Sequence, residues 1–358
     1  MTEPKIIKVL IVAPALPLVG GQAVQAKRLL EKFRAEPNLQ VDLQPINPQF
    51  FPALQKIKYV RTVLTTVKYL FDLLTKIPRY DVIHIFSASY FSFVLAQTPA
   101  VLIAKIFGVK TILNYRSGEA EDHLRRWRTA IPTMRLFDKI VVPSGYLVDV
   151  FAKFDLRAEA IFNFVDTDKY VFRGRDSLKP VFLSNRNFEK LYNVGCILRA
   201  FALIQKKYGD AKLIIAGGGA EKEKLRQLAK DLKLENVEFL GRVPQEQMPE
   251  LYNRADVYLN SPNVDNMPGS IIEAFAAGVP VVSTDAGGIP YICKSGETAL
   301  LVAKNDCEGL AREAIRLLED DDLAKKIIAT AAENCVKYSW ENVRGEWLNA
   351  YRNLASKK

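Results

Sequence analysis

Short apolar runs of strand length alternate with helix-length stretches along almost the whole of this 358-residue chain. KIIKVLIVAPALP reads as a strand and GGQAVQAKRLLEKFRAE as the amphipathic helix that follows it. A strand around Val41, a long helix from about Ile57 to Thr75 and the strand DVIHIF come next. YFSFVLAQTPAVLIAKIFG is then a buried helix, VKTILNYR a strand, and a basic helical segment leads to the strand DKIVVPS and a short helix from Tyr146. Strictly alternating strands and helices pair their strands in parallel through right-handed crossovers, which gives a doubly wound α/β domain.

The stretch NFVDTDKYVFRGRDSLKP breaks the pattern. It is polar, carries Gly174 and Pro180, has no helical period, and reads as a linker. The alternation then restarts with KPVFLSN, LYNVGCILRAFALIQKKY, AKLIIAGG, AEKEKLRQLAKDLKL, NVEFLG, MPELYNRA and DVYLNSP. The chain ends in helices from Gly309, the last over about Trp340 to Leu354. Length favours two cores over one. The expected domains are residues 1–170 and 171–338, two similar Rossmann-like halves with a cleft between them, followed by a terminal helix over 339–358.

Charge is uneven between the halves. The chain carries +10 overall, and residues 1–170 hold 23 Lys/Arg against 15 Asp/Glu. A basic first half suits an anionic surface or substrate; it also suits a merely well-solvated face. No aromatic-rich recognition motif accompanies it, which argues against nucleic acid. Four scattered cysteines (Cys196, Cys293, Cys307, Cys335) form no Cys-x-x-Cys pair, and with two histidines no zinc cluster can be built. Buried free thiols in a reducing compartment are expected. The N-terminus lacks a signal-peptide cleavage pattern, and the most apolar region, Phe86 to Val109, is interrupted by polar residues and Pro99. These features predict a cytoplasmic protein with no membrane span.

Polar residues concentrate at turns after strands, where α/β sheets hold ligands. In DNMPGSIIE, Pro268 and Gly269 allow a tight helix entry, Ser270 can cap, and free backbone N–H groups make an anion site. Glu273 lies one turn in; it either meets ligand hydroxyls beside that anion or complements the helix dipole. In SNRNFEKLYN, Arg186 and Lys190 follow a strand and either grip a diphosphate or line a solvated loop. Gly20 and Gly21 let a ligand approach the backbone, or serve the turn alone. AGGGAEKEK fails as a dinucleotide fingerprint because Lys222 stands where the third glycine belongs. Asp166-Thr167-Asp168 lacks a third metal ligand, and His84 reads as a core histidine.

Together these stretches resemble the retaining glycosyltransferases of family 4, of GT-B fold. The resemblance rests on SNRNFEKLYN, LIIAGGG, VEFLGRV, MPELYNRADVYLNSP and NMPGSIIEAFAAGVPVVSTDAGG in the second half. In the first half it rests on VGGQAVQAKRLLEKF, DVIHIFS and VVPSGYL with NFVDTDKY. It implies two Rossmann-like domains with the C-terminal helix packing back on the first. It implies no resident cofactor or metal, a nucleoside diphosphate sugar as donor, and a hydroxyl acceptor, lipid-linked or a polysaccharide precursor. Peripheral contact with an anionic membrane goes with such an acceptor.

The family's paired carboxylates match Asp265, facing the sugar, and Glu273, on the ribose hydroxyls. Arg186 and Lys190 match the pair on the diphosphate. Gly241, Arg242 and Val243 fall where the base is held, Gly269, Ser270 and Ile271 at the phosphates, and Gly20 and Gly21 at the glycine-rich loop. The sequence departs from the pattern at three places: Asp265 replaces a Glu, Arg186 and Lys190 are spaced by four residues instead of five, and the first-domain histidine is missing. Tyr115, Arg116, Glu119 and His123 are candidates around that last position. A sugar-nucleotide binding protein without transfer activity and an epimerase of the same fold are the alternatives.

Overall fold

The computed structural model describes residues 6–15, 21–48, 58–87 and 89–356. The chain divides into two compact units, Met1–Asn163 with Arg344–Lys358, and Phe164–Val343.

The first unit is built on a parallel sheet in the order β2-β1-β3-β4-β5-β6. Its strands are β1 (Ile7–Ala13), β2 (Leu39–Pro45), β3 (Val82–Ser87), β4 (Lys110–Tyr115), β5 (Lys139–Val142) and β6 (Glu159–Ala160). Every residue of β3 is buried, and so is Val9–Ala13 of β1. Strands covered by helices on both faces have no solvent side, so their sequences run apolar without alternation. His84 sits on β3, fully buried and stacked on Trp347 with ring centroids 4.7 Å apart. Trp347 belongs to the C-terminal helix Trp340–Ala355, whose Tyr351 also packs against Phe33. The last helix thus returns to the first unit, as expected.

The second unit repeats the plan in the order β12-β11-β10-β7-β8-β9, again parallel. Its strands are β7 (Val181–Ser184), β8 (Lys212–Ala216), β9 (Val237–Gly241), β10 (Val257–Asn260), β11 (Val281–Thr284) and β12 (Leu300–Val302). Two edge strands, β6 and β12, go unseen in the sequence because two or three residues cannot display a period.

The polar stretch after Asn163 is not a free linker. The unit division falls seven residues before the expected 170/171 limit. Phe164 packs on Trp340, the Val165 N–H bonds the Tyr338 carbonyl at 3.1 Å, and Tyr170 packs on Tyr252. The Asp166 carboxylate is taken by Lys169. Further on, the Arg175 side chain, 2% exposed, pairs with Asp256 at 3.0 Å and donates to the carbonyls of Ala255 and Ala277 at 2.8 and 3.1 Å. Residues 164–180 are a strap within the second unit, held by these contacts and by Arg175 and Arg173, which both meet Asp256. A polar, aperiodic sequence conceals this because the strap's donors and acceptors are satisfied by distant residues.

Replacing Arg175 with Ala removes the buried partner of Asp256 and leaves its carboxylate to the more exposed Arg173 and to the Lys179 N–H. Breaking such a pair from one side costs about 3–5 kcal/mol. Urea unfolding of Arg175→Ala is expected to show a lowered midpoint, with a stability loss below that full figure because Arg173 still faces Asp256. Arg175→Lys should recover little of it, since an ammonium cannot reach the same fork of carbonyls. A wild-type midpoint in Arg175→Ala would remove the strap from the stability of this unit.

Candidate functional site

Chain order reverses between β7 and β10: β8 and β9 lie on one side, β11 and β12 on the other. At such a switch point the loops leaving neighbouring strands diverge and open a crevice at their carboxyl ends. Arg186 leaves β7 at this point and Asp265 follows β10. The two side chains form an ion pair across it, both nearly buried. The Arg186 Nη1 donates to the Ser270 hydroxyl at 3.2 Å, and its guanidinium lies 4.1 Å from the Tyr192 ring centroid. Its Nε is buried without a partner. Burial opposes the charge, but Asp265 and the surrounding tyrosines hold the Arg186 pKa above its ordinary value.

The second carboxylate is equally enclosed. Glu273, in the helix Gly269–Ala276, is 6% exposed and accepts from Gln245 Nε2 at 3.0 Å. The Tyr252 hydroxyl lies 3.2 Å from its other oxygen and donates to the Ser270 carbonyl at 2.8 Å. Asn185 donates to that same hydroxyl at 2.8 Å and accepts from Tyr258 at 2.8 Å. Burial and the Glu273 carboxylate push the Tyr252 phenol well above its usual pKa, and burial carries Tyr258 up to about 12. Both phenols therefore stay protonated and act as donors. Asn185, Tyr192, Gln245, Tyr252 and Tyr258 did not emerge from the sequence as site residues. Tyr252 and Tyr258 lie in LYNRADVYLN, Asn185 and Tyr192 in SNRNFEKLYN, and Gln245 just after VEFLGRV, but no single one of them is diagnostic.

Glycines set the two functional loops at these positions. A Cβ on Gly217 would lie 2.2 Å from the Arg186 carbonyl oxygen, and one on Gly219 2.5 Å from that of Phe188. The glycines of AGGG are thus a seat for the Arg186 loop. Gly287 and Gly288 do the same for the other loop: their Cβ atoms would fall 2.2 and 1.9 Å from the carbonyl oxygens of Asp265 and Asn266.

The structure joins Asp265, Arg186, Ser270 and Glu273 into one site and leaves other candidates apart from it. Lys190 is exposed and makes no ion pair among the described residues. Ser270 is not a cap; the N-cap is Pro268, whose ring offers no hydrogen-bonding atom, and the Ser270 hydroxyl instead meets Arg186. The Ile271 N–H is held by the Pro268 carbonyl at 3.2 Å, and a Cβ on Gly269 would lie 4.0 Å from Val165. Gly241 ends β9 at φ 71° and accepts from the Gly217 N–H at 2.7 Å. Arg242 is exposed and its stem covers Gly218, while Val243 is half-buried.

In the first unit Gly21 opens the helix Gly21–Arg34 and is exposed; Gly20 lies outside the described residues. Tyr115 and His123 are buried and bonded to each other at 2.9 Å. Glu119 is exposed at the start of the helix Ala120–Arg126. Arg116 is half-buried beside Asn114.

Comparison with known proteins finds likenesses in sequence and in fold. Residues 168–334 match the family described as glycosyl transferases group 1. The chain is 33% identical over 186 residues to the N-acetyl-alpha-D-glucosaminyl L-malate synthase of Bacillus anthracis, covering 49% of this chain and 48% of that one. It is 32% identical over 180 residues to the phosphatidyl-myo-inositol mannosyltransferase of Mycobacterium leprae, covering 50% and 47%. The chain spans about half the length of these curated relatives in the matches. Anabaena Alr3699/HepE, solved in complex with UDP and glucose, superposes with a TM-score of 0.75 at 17% identity over 96% of this chain and 99% of that one. Sucrose-phosphate synthase from Thermosynechococcus elongatus superposes with a TM-score of 0.78 at 18% identity, over 98% and 100%. The family match covers residues 168–334, most of the second unit, and the fold of the chain is GT-B.

Proposed function

We propose that this protein transfers a sugar from a nucleoside diphosphate sugar, UDP- or GDP-linked, to a hydroxyl of an acceptor, with retention at the anomeric carbon. The observation that carries this reading is the clustering of Arg186, Asp265, Ser270 and Glu273 at the switch point of the unit that matches the family. A fold neighbour solved with UDP and glucose, HepE, supports the donor class.

Each residue has a task that its surroundings permit. Glu273, held by Gln245 and Tyr252, can accept hydrogen bonds from the ribose hydroxyls. An arriving diphosphate competes with Asp265 for Arg186 and meets its unengaged Nε. Exposed Lys190 can swing to the same phosphates. Asp265, released, accepts from a hydroxyl of the sugar. As the bond between the anomeric carbon and the diphosphate oxygen breaks, the oxygen keeps the electron pair. Arg186 and the start of the helix Gly269–Ala276 stabilise that charge. The acceptor oxygen forms the new bond on the same face, and its proton passes to the departing phosphate.

Two substitutions test this division of labour. Asp265→Asn removes the competitor for Arg186, so UDP should bind as well as before or better, while transfer loses a charged acceptor. That loss is about 1.5–3 kcal/mol, or roughly ten- to hundredfold in kcat/KM. Intact kinetics in Asp265→Asn would take this residue out of the sugar site. Sugar consumption without acceptor would favour an epimerase. Glu273→Ala should instead weaken UDP binding itself by about 1.5–3 kcal/mol, read by calorimetry. Unchanged affinity in the folded variant would return Glu273 to a dipole-complementing role.

The acceptor side is read as membrane-facing. No helix among the described residues is long and apolar enough to cross a membrane. The helix Lys58–Lys76 instead exposes Val63, Val67, Phe71 and Leu74 along one face, with Phe71 65% exposed. The neighbouring helix Phe91–Ile106 exposes Phe91, Leu95, Leu102 and Ile106. An apolar face of this extent on a unit with excess positive charge suits the surface of an anionic bilayer. Sedimentation with phosphatidylglycerol vesicles is expected to exceed that with phosphatidylcholine vesicles and to fall with salt. Each Lys or Arg near such a surface contributes about 1 kcal/mol. Phe71→Glu should weaken the binding. Equal binding to both vesicles, or no effect of Phe71→Glu, would overturn the assignment.

A further inference from the structure

Among the arginines in or near the interior of the described residues, Arg175, Arg186 and Arg116 are not treated alike. Arg175 has Asp256 and Arg186 has Asp265. Arg116, which follows β4 in the first unit, has no carboxylate partner among the described residues. Its Nη1 donates to Asn114 Oδ1 at 3.0 Å, its guanidinium lies 5.3 Å from the Phe86 ring centroid, and its Nη2 is buried with no partner. Burial alone pulls its pKa down, to about 9, with no acid acting in the other direction. A guanidinium held this way would ordinarily be paired.

The position is nonetheless built. Arginine only donates, so Asn114 must present Oδ1 to it and turn Nδ2 toward His84 Nε2, 2.9 Å away. His84 then accepts at Nε2 and carries its proton on Nδ1, which donates to the Tyr351 hydroxyl at 2.6 Å. Burial, and then the charge of Arg116, lower the His84 pKa to about 3, so the imidazole is neutral and does not compensate the cation. A four-residue chain from the C-terminal helix thus fixes an unpaired guanidinium at the carboxyl end of the sheet. That end is where ligands of such sheets bind, and β3, next to β4, borders the switch point of this unit.

We propose that Arg116 receives an oxyanion, a carboxylate or a phosphate, carried by the acceptor. This rests on the reading that the second unit takes the nucleotide donor and the first the acceptor. The bound anion would supply the counter-charge that the chain omits. Arg116 is then a specificity residue: neutral acceptors leave its cation uncompensated and are rejected.

The test uses three probes that share a hydroxylated skeleton: glycerol 3-phosphate, glycerate and glycerol. Their binding to the full chain is measured by calorimetry, with and without saturating UDP. At least one anion is expected to bind ten times or more tightly than glycerol, and whichever wins separates phosphate from carboxylate. Arg116→Gln should abolish that preference and leave UDP affinity unchanged. Arg116→Lys should retain part of it, which covers the case in which the Gln variant does not fold. Glycerol binding as tightly as both anions, no binding of any probe, or a preference that survives in folded Arg116→Gln would each overturn the proposal. Absence of UDP binding to the wild type would count against the donor reading instead, and the anion preference would still be read from the titrations without UDP.

Discussion

The ion pair between Arg186 and Asp265 spans the one place in the second sheet where neighbouring strands send their chains in opposite directions. Two loops that diverge there would expose backbone and charge to each other without a clasp. The pair supplies it, and the Ser270 hydroxyl and the Tyr192 ring complete the cage around the guanidinium. The groups that hold the loops together are also the ones suited to a charged ligand. In the proposed reading, structural neutralisation and diphosphate binding are competing uses of a single cation, and the free energy of one is set against that of the other.

Support for this clasp comes mostly from residues with no chemistry of their own. Gly217 and Gly219 admit the backbone of the Arg186 loop, and Gly287 and Gly288 admit that of the Asp265 loop, at separations that no Cβ tolerates. Beneath them the phenols of Tyr252 and Tyr258, kept protonated by burial, relay hydrogen bonds through Asn185 to the start of the helix that carries Glu273. A buried polar network of this kind is favourable when its members are satisfied. Here the carboxylate of Glu273 is fixed in orientation by Gln245 and Tyr252, which in the proposed role would lower the ordering cost of binding.

Buried cations follow the same logic elsewhere. Arg175 fastens the strap within the second unit because Asp256 and a ring of carbonyls meet all sides of its fork. Arg116 in the first unit lacks such an acid, and the neutral relay through Asn114, His84 and Tyr351 orients it without discharging it. Arg116 thus differs from both Arg175 and Arg186, each of which has a carboxylate within reach.

Sequence alone determined the two parallel sheets, since alternating buried strands and helices admit few other arrangements. It also located the loops after β7 and β10, because Gly, Pro and charged residues gather where a strand ends. Arg186, Ser270 and Glu273 stood out as candidates for that reason, and Asp265 through the family resemblance. Tertiary structure alone decided which charges meet. Arg186 and Asp265 are 79 residues apart, and Arg175 and Asp256 are 81 apart, so no local period records either pair. It also turned Ser270 from a helix cap into a partner of Arg186, left Lys190 outside the cage, and made a strap of an apparent linker. Hydrophobic period is a property of neighbouring residues and survives in the sequence. The pairing of buried polar groups depends on which loops the sheet order brings side by side, and only the folded chain specifies that.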